Sequence, residues 1–383
     1  MMVMQGESTG TLPPGEVPAT APDGSTGGST GGSTDPAARP HSGRGGRRPT
    51  LAAVAEVAGV SLKTASRVLN DEPNVAPQTR AKVQEAAQRL GFRRNAVAAD
   101  LARGGSSRLV GFVTGDLANP FYSALASGIE RELRHHGLQL ITTSSDEEPE
   151  RERSLTEALV ERRVGALVVT PTSTDHSSLR RELDDGLPVV FIDRPAQGVD
   201  ADTVVIDNRG GVRDAVTHLL AHGHRRIALV GDVSRLWTFQ ERRDEFVATL
   251  RGAGVEDPTR YVRDGAHDAE LAHAFVAELL ALPEPPTAFV TANNKITVGA
   301  LHALRDRAAA GGPRDVALVG FDDFELADLL DVTVVGYDVV EMGRQAAALA
   351  VSRAENPELA PRLVVVPTRL VVRGTGEIPG PGA

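Results

Sequence analysis

Two hydrophobic periodicities divide the chain. Between Pro49 and Gly91, the apolar residues Val54, Ala58, Val60, Ala65, Val68, Val83, Ala87 and Leu90 recur at helical spacing. They predict three short helices around a very small core. Thr50 can cap a helix from Leu51 to Ala58, which Gly59 ends. Ser61 can cap a second, from Leu62 to Leu69. Pro77 stands at the first position of a third, Gln78 to Leu90, where its missing N–H is harmless, and Gly91 stops it. A fourth helical stretch, Asn95 to Ala102, runs into Gly104, Gly105, Ser106 and Ser107, a flexible joint.

From Leu109 the pattern changes to short apolar β-type runs. They are Leu109 to Val113, Leu138 to Thr142, Ala166 to Val169, Val189 to Ile192, Val204 to Ile206, Ile227 to Val230, Ala288 to Thr291 and Val316 to Val319. Amphipathic segments fall between them: Phe121 to His136, Arg151 to Arg163, Arg209 to His222, Gln240 to Gly252, Leu271 to Leu282 and Lys295 to Arg307. Continuous Val/Ile/Leu runs alternating with helices predict parallel sheets covered on both faces. The runs are too many for one comfortable open sheet, so two similar α/β lobes are expected. Ligands bind such sheets beyond the carboxyl ends of the strands, and two facing lobes make a cleft there. Leu363 to Pro367 and Leu370 to Val372 supply a late strand pair.

Composition narrows the function. The 383 residues include 0 Cys, which excludes disulfides and thiolate metal sites. No apolar stretch is long enough to span a bilayer. Met1 to Gly10 lacks the basic flank and apolar core of a secretion signal, so a cytoplasmic location is expected. The segment up to residue 48, rich in Gly, Ser, Thr and Pro, cannot bury enough apolar surface to order itself and reads as a disordered tail. Net charge is −10, which alone argues against nucleic acid. Its distribution argues the opposite. Between His41 and Arg108, 12 Lys and Arg stand against 5 Asp and Glu. A short basic module on an acidic body is the footprint expected of a tethered DNA reader.

The stretch Leu51-Ala-Ala-Val-Ala-Glu-Val-Ala-Gly-Val-Ser-Leu-Lys-Thr-Ala-Ser-Arg-Val-Leu-Asn70 strongly resembles the headpiece of the LacI family of bacterial regulators, the lactose and purine repressor family. The resemblance continues through Leu90-Gly-Phe92, Asn95-Ala-Val-Ala98, Asn119-Pro-Phe-Tyr122, Phe191-Ile-Asp-Arg-Pro195, Gly223-His-Arg-Arg-Ile227, Ala292-Asn293, Gly320-Phe-Asp-Asp323 and Pro367-Thr368. Each motif alone is weak, but their joint order from Thr50 to Arg373 is specific. The resemblance implies an N-terminal all-α helix-turn-helix headpiece at 49–94 and a hinge helix with linker at 95–108. It also implies a two-lobed, periplasmic-binding-protein-like α/β sensor at 109–378, with lobe 1 at about 109–207 and 338–359 and lobe 2 at about 208–337 and 360–378.

The same resemblance assigns roles. Leu62, Lys63 and Arg67 would read base edges in the major groove, and Arg67 can fork onto guanine O6 and N7. Thr50, Ser61, Thr64, Ser66 and Asn70 would position phosphates, although Thr50 and Ser61 are also the helix caps and Lys63 can be a solvated charge. Asn95, Ala98 and Leu101 would belong to a hinge helix in the minor groove, with Leu101 wedged between base steps. Three positions depart from the family: Arg94 in place of proline, Asp100 near the expected DNA surface, and Ala76 in place of a serine cap. For a sugar-like effector the implied residues are Phe121, Asp193, Arg242, Asn293 and Asp322, with Tyr122 weaker. Trp237, the single Trp, either stacks on the ligand or serves as core or lid. Asn294 stands where aspartate is usual and Glu245 where glycine is usual, which alters expected charge and space in the cleft.

Rival readings are weaker. His218 and His222 lie four apart with His224 close by, but their context reads as structural, so no metal and no cofactor are expected. Asp322-Asp323 lacks the nucleophile–base set of a sugar hydrolase, and no enzyme activity is expected. A periplasmic-type solute-binding protein would need an export signal and no basic head. A purine-like co-repressor fits the architecture as well as a sugar inducer does. The expected partners are therefore pseudo-palindromic double-stranded operator DNA, a small effector and a second copy in a homodimer, with no membrane.

Overall fold

In the first unit, each helix begins and ends where local chemistry dictates. The computed structural model describes residues 49–93, 107–312 and 315–381, in two compact units of residues 1–94 and 95–383. Helix α1 (Leu51–Ala58) is capped by the Thr50 hydroxyl, which accepts the Ala53 N–H, and ends at Gly59 with φ 65°. Helix α2 (Leu62–Leu69) is capped by Ser61, which accepts the Thr64 N–H. Helix α3 (Pro77–Leu90) starts on Pro77 without a side-chain cap at Ala76, and ends at Gly91 with φ 63°. Val54, Ala55, Ala65, Val68, Val83, Ala86 and Ala87 form their shared core. The tail to residue 48 lies outside the described residues, as do the hinge positions Asn95, Ala98 and Leu101 with Arg94 and Asp100.

The second unit is two α/β lobes. The chain runs β1 (Leu109–Thr114), α4 (Pro120–His135), β2 (Gln139–Ser144), α5 (Pro149–Glu161), β3 (Ala166–Val169), α6 (Arg180–Asp184), β4 (Val189–Ile192) and β5 (Asp202–Ile206). It continues as α7 (Asn208–Ala221), β6 (Ile227–Val230), α8 (Trp237–Gly252), β7 (Val262–Arg263), α9 (Ala269–Leu280), β8 (Ala288–Thr291), α10 (Asn294–Ala309), β9 (Ala317–Phe321) and β10 (Thr333–Gly336). It finishes as α11 (Val339–Glu355), β11 (Leu363–Val366) and β12 (Arg369–Val371). The sheet of lobe 1 has the order β11-β5-β4-β3-β1-β2, and that of lobe 2 the order β12-β10-β9-β8-β6-β7. All pairs are parallel except β10 with β12. The central strands of both sheets are buried on both faces, which is why they read as unbroken apolar runs.

The chain passes between the lobes three times: after β5, after β10, and between β11 and β12. This corrects the expected lobe boundary. Residues 360–378 do not all belong to lobe 2, and the late strands do not pair with each other. Strand β11 adds to the free edge of β5, with Val364 opposite Val204, while β12 joins β10. Buried Asp202 holds this edge together. Its carboxylate accepts from Arg353 of α11 (3.0 and 2.9 Å) and from the Arg362 backbone N–H before β11 (2.9 Å). Strand β10 and the long helix α11 are elements that the apolar runs did not mark.

Helix α4, which brings Phe121 and Tyr122 to the cleft, lies flat on α11 through two glycines. A Cβ at Gly128 would fall on the Val340 carbonyl oxygen, and one at Gly343 on that of Leu125. Gly343→Ala should therefore push the helices apart and lower stability by about 1–3 kcal/mol, read as a lower denaturation midpoint. An unchanged midpoint would mean that the helix contact is looser than described.

Candidate functional site

The site begins with two aspartates at equivalent stations. Asp193 follows β4 and Asp322 follows β9, with φ of 73° and 69°. Their N–H groups still pair with the neighbouring strand, Asp193 to Val204 (2.9 Å) and Asp322 to Val335 (3.0 Å). Aspartate tolerates this left-handed backbone better than most residues, and the turn sends each carboxyl off the carboxyl end of its sheet. Both are buried, at 5% and 7% exposure.

Both line one cavity of about 40 Å³ between the lobes. Lobe 1 contributes Asp116, Asn119, Phe121, Tyr122, Glu147, Asp193 and Arg194. Lobe 2 contributes Asp232, Thr238, Phe239, Arg242, His267, Ala292, Asn293, Lys295, Asp322 and Tyr337. The structure thus brings together Phe121, Tyr122, Asp193, Arg242, Asn293 and Asp322. Trp237 is half-buried at the first position of α8 and does not line the cavity; the next two residues, Thr238 and Phe239, do. Glu245 is not in the cavity either. Its carboxylate pairs with Arg213 (2.7 Å), so it alters neither charge nor space there. Asn294 reaches the lobe boundary, donating to Asn119 Oδ1 at 2.9 Å.

A buried ion pair organises lobe 1. Arg194 donates from both terminal nitrogens to Glu147, at 2.6 and 2.9 Å. The Tyr122 and Thr172 hydroxyls fill the remaining acceptor sites, each at 2.8 Å. Burial alone would raise the Glu147 carboxyl, but the Arg194 charge and these hydrogen bonds outweigh it and hold the group at about 2. Asp193 is in the opposite situation. Its side chain accepts no hydrogen bond; Arg194 Nε stands 3.3 Å away without hydrogen-bond geometry. Burial pushes its carboxyl up to about 6.

Lobe 2 mirrors this with partners. Asp322 accepts from the Tyr337 hydroxyl (2.7 Å) and the Asn294 N–H (3.4 Å), and burial raises its carboxyl. Arg242 lies over the Phe321 ring, 3.8 Å from its centroid, and donates from Nε to Asn208 (2.7 Å) and from Nη1 to the Ala292 carbonyl. Asn293 caps α10 through Oδ1 and donates to Asp232 (2.8 Å). The hydrogen bond to Asp232 raises the His267 imidazole. Three ties cross between the lobes: Lys295 to Asp116 (3.0 Å), Asn294 to Asn119, and Arg235 to the Glu147 and Thr172 carbonyls.

Several lining residues were missed. Asp116 and Asp232 follow β1 and β6, so the strand-end rule that marked Asp193 could have found them. Glu147 was hidden in the acidic run Asp146-Glu147-Glu148. Among the histidines, His218 binds Glu377 (2.7 Å), His222 the His218 carbonyl (2.8 Å), and His224 lies between Thr287 and the Ile378 carbonyl. Asp323 is paired with Arg373 (2.9 and 2.8 Å) outside the cavity.

In the headpiece unit, α2 buries Ala65 and Val68 and exposes Leu62 and Lys63 at its N-terminal end. Arg67 is half-exposed and already engaged, with Nε on Glu72 (3.2 Å) and Nη2 on the Pro73 carbonyl (3.0 Å). Ser61 and Thr64 bond to each other (2.8 Å), as do Asn70 and Ser66 (3.3 Å).

Comparison with known proteins places both units. The profile of bacterial regulatory proteins of the lacI family matches residues 50–95. That of periplasmic binding proteins and the sugar binding domain of the LacI family matches residues 107–371. The HTH-type transcriptional regulator GalS of Salmonella typhimurium is 32% identical over 80% of this chain and 90% of its own. A solved transcriptional regulator CelR–cellobiose complex is 30% identical, with a TM-score of 0.63 over 86% of this chain and 100% of that one. The lac repressor dimer bound to operator and the anti-inducer ONPF is 26% identical, with a TM-score of 0.74 over 86% of this chain and 99% of that one.

Glu147→Gln should destabilise the sensor by about 3–5 kcal/mol at pH 7, because it removes the carboxylate held by both terminal nitrogens of buried Arg194 and leaves only Asp193, 3.3 Å from Nε. The wild-type advantage is complete above the ordinary carboxyl value of 4.5 and is lost as pH falls through it towards about 2. Denaturant titrations of both proteins at pH 7 and pH 3 read it as a gap that narrows in acid. A gap independent of pH would show that the ion pair is not its source.

Proposed function

Because the chain belongs to the LacI family of bacterial regulatory proteins, we propose that it represses transcription under control of a sugar or related polyol held between the two lobes. It is a DNA-binding transcriptional regulator, and the relatives it matches are regulators rather than enzymes. Among the described residues no helix is long and apolar enough to cross a membrane. We read the protein as a cytoplasmic homodimer that carries two heads to a pseudo-palindromic operator, with Arg67, Lys63 and Leu62 on base edges and Thr50, Ser61, Thr64, Ser66 and Asn70 along the backbone.

One observation carries the effector reading: Asp193 and Asp322, from different lobes, turn into one cavity with Arg242 and Asn293. Planar groups of this kind each bond two hydroxyls of a polyol. Phe121 lies beside Tyr337 across the cleft, 6.3 Å between ring centroids, and offers an apolar face. A ligand that bonds both lobes at once favours the closed arrangement over an open one. That difference in affinity biases the DNA-bound state, and the coupling is reciprocal.

A thermal-shift screen of sugars, polyols and nucleobases tests this reading, since a ligand that binds only the folded state raises its midpoint. A hydroxyl donates a stronger hydrogen bond to the ionised Asp193 carboxylate than to its neutral acid. Effector affinity should therefore be full well above pH 6 and fall as pH drops through the Asp193 value of about 6. Calorimetry at pH 7.5 and pH 5 would show equal affinities if Asp193 is not an acceptor. Arg67→Ala should lose about 1–3 kcal/mol of discrimination at one guanine while effector affinity stays unchanged. Full sequence preference in footprinting would remove Arg67 from the reading set.

A further inference from the structure

We propose that the inter-lobe cavity admits only ligands without negative charge: an unphosphorylated polyol, neutral or carrying an amine, whose donor group Asp193 accepts. This rests on the effector reading above and narrows its chemical class. The cavity lining carries five carboxylates, Asp116, Glu147, Asp193, Asp232 and Asp322, against three fixed cations, Arg194, Arg242 and Lys295, and the His267 imidazole. Arg194 gives both terminal nitrogens to Glu147, Lys295 binds Asp116, and His267 binds Asp232. Arg242 acts electrostatically on both Asp193 and Asp322, and its Nε and Nη1 are taken by Asn208 and the Ala292 carbonyl.

The positive ends of two helices are answered as well. At the start of α10, Asn293 accepts the Ile296 N–H and Asp322 the Asn294 N–H. At the start of α4, Asn119 accepts the Phe121 N–H. The start of α8 has no side-chain cap, but it offers partial rather than formal charge.

What remains over is a carboxylate. Asp193 is 5% exposed, lines the cavity, and accepts no hydrogen bond at its side chain. Its left-handed backbone turn fixes it there. A buried carboxylate that accepts no hydrogen bond is unfavourable for the empty protein even with Arg194 Nε 3.3 Å away, so a hydroxyl or ammonium that reaches it gains the hydrogen bond the fold withholds. A phosphate or carboxylate in the same space meets an excess of like charge, because the lining carboxylates outnumber the fixed cations.

The test uses the full-length protein at pH 7.5 and calorimetry on matched pairs. These are glucose, galactose, fructose and ribose against their phosphate esters, glucosamine and galactosamine as cationic members, and adenosine against adenosine monophosphate. Binding should be confined to uncharged or cationic members, with any phosphate ester weaker by on the order of 100-fold or more. Asp193→Asn keeps the backbone turn accessible. It should weaken the bound ligand at least tenfold, yet raise the thermal midpoint of the ligand-free protein. A phosphate ester that binds as tightly as its parent overturns the proposal and leaves the sugar reading standing. Binding of adenosine alone overturns the sugar reading, and the charge rule is then judged from adenosine against its monophosphate. An Asp193→Asn midpoint below wild type overturns the assignment of Asp193 as the acceptor left without a hydrogen bond, and silence across the whole panel overturns both readings.

Discussion

Charge taken out of water must find a counter-charge close by, and that constraint shapes the space between the lobes. Glu147 and Arg194 satisfy it within lobe 1, in a four-partner arrangement with Tyr122 and Thr172. Lys295 and Asp116 satisfy it across the lobes. Asp193 satisfies it only in part, with Arg194 Nε 3.3 Å away but no hydrogen bond accepted. The fold builds a rigid, mutually neutralised wall and leaves one acceptor open on it. That is the arrangement expected where a ligand completes the structure. Of these pairs, Lys295 with Asp116 also joins the lobes.

The fold was legible wherever burial is two-sided. Runs such as Val189–Ile192 and Ile227–Val230 lie in the middle of parallel sheets, and no polar face interrupts them. Helix caps at Thr50 and Ser61 were legible because one hydroxyl answers one N–H locally. The late strands were not. Leu363–Val366 and Arg369–Val371 are close in sequence, but the choice of partner belongs to the free edges of β5 and β10, which only tertiary assembly creates.

The site was partly legible for the same reason. Asp193 and Asp322 each end an apolar run, so their position relative to a sheet follows from the run. Tyr337 escaped because the strand before it, Thr333–Gly336, has only two consecutive apolar residues, too short a run to mark. Glu147 escaped because an acidic run reads as solvated surface; only the folded turn, with φ 58° at Glu147, carries it inward to Arg194. Trp237 was left open between ligand stacking and a core or lid place; α8 starts on it, and the next two residues, Thr238 and Phe239, line the cavity. In the head, the fork of Arg67 is already held by Glu72 and Pro73, so reading a guanine requires sharing or exchanging those bonds.

The account stands on a two-way link between the cavity and the duplex. It is tested most directly by measuring one thermodynamic box on the full chain. Operator affinity is taken by fluorescence anisotropy with and without the effector, and effector affinity by calorimetry with and without the operator. The account predicts that both legs change by the same factor, and that Asp322→Ala reduces this factor to one while operator binding persists. Operator affinity that is indifferent to a saturating, calorimetrically bound ligand would contradict it.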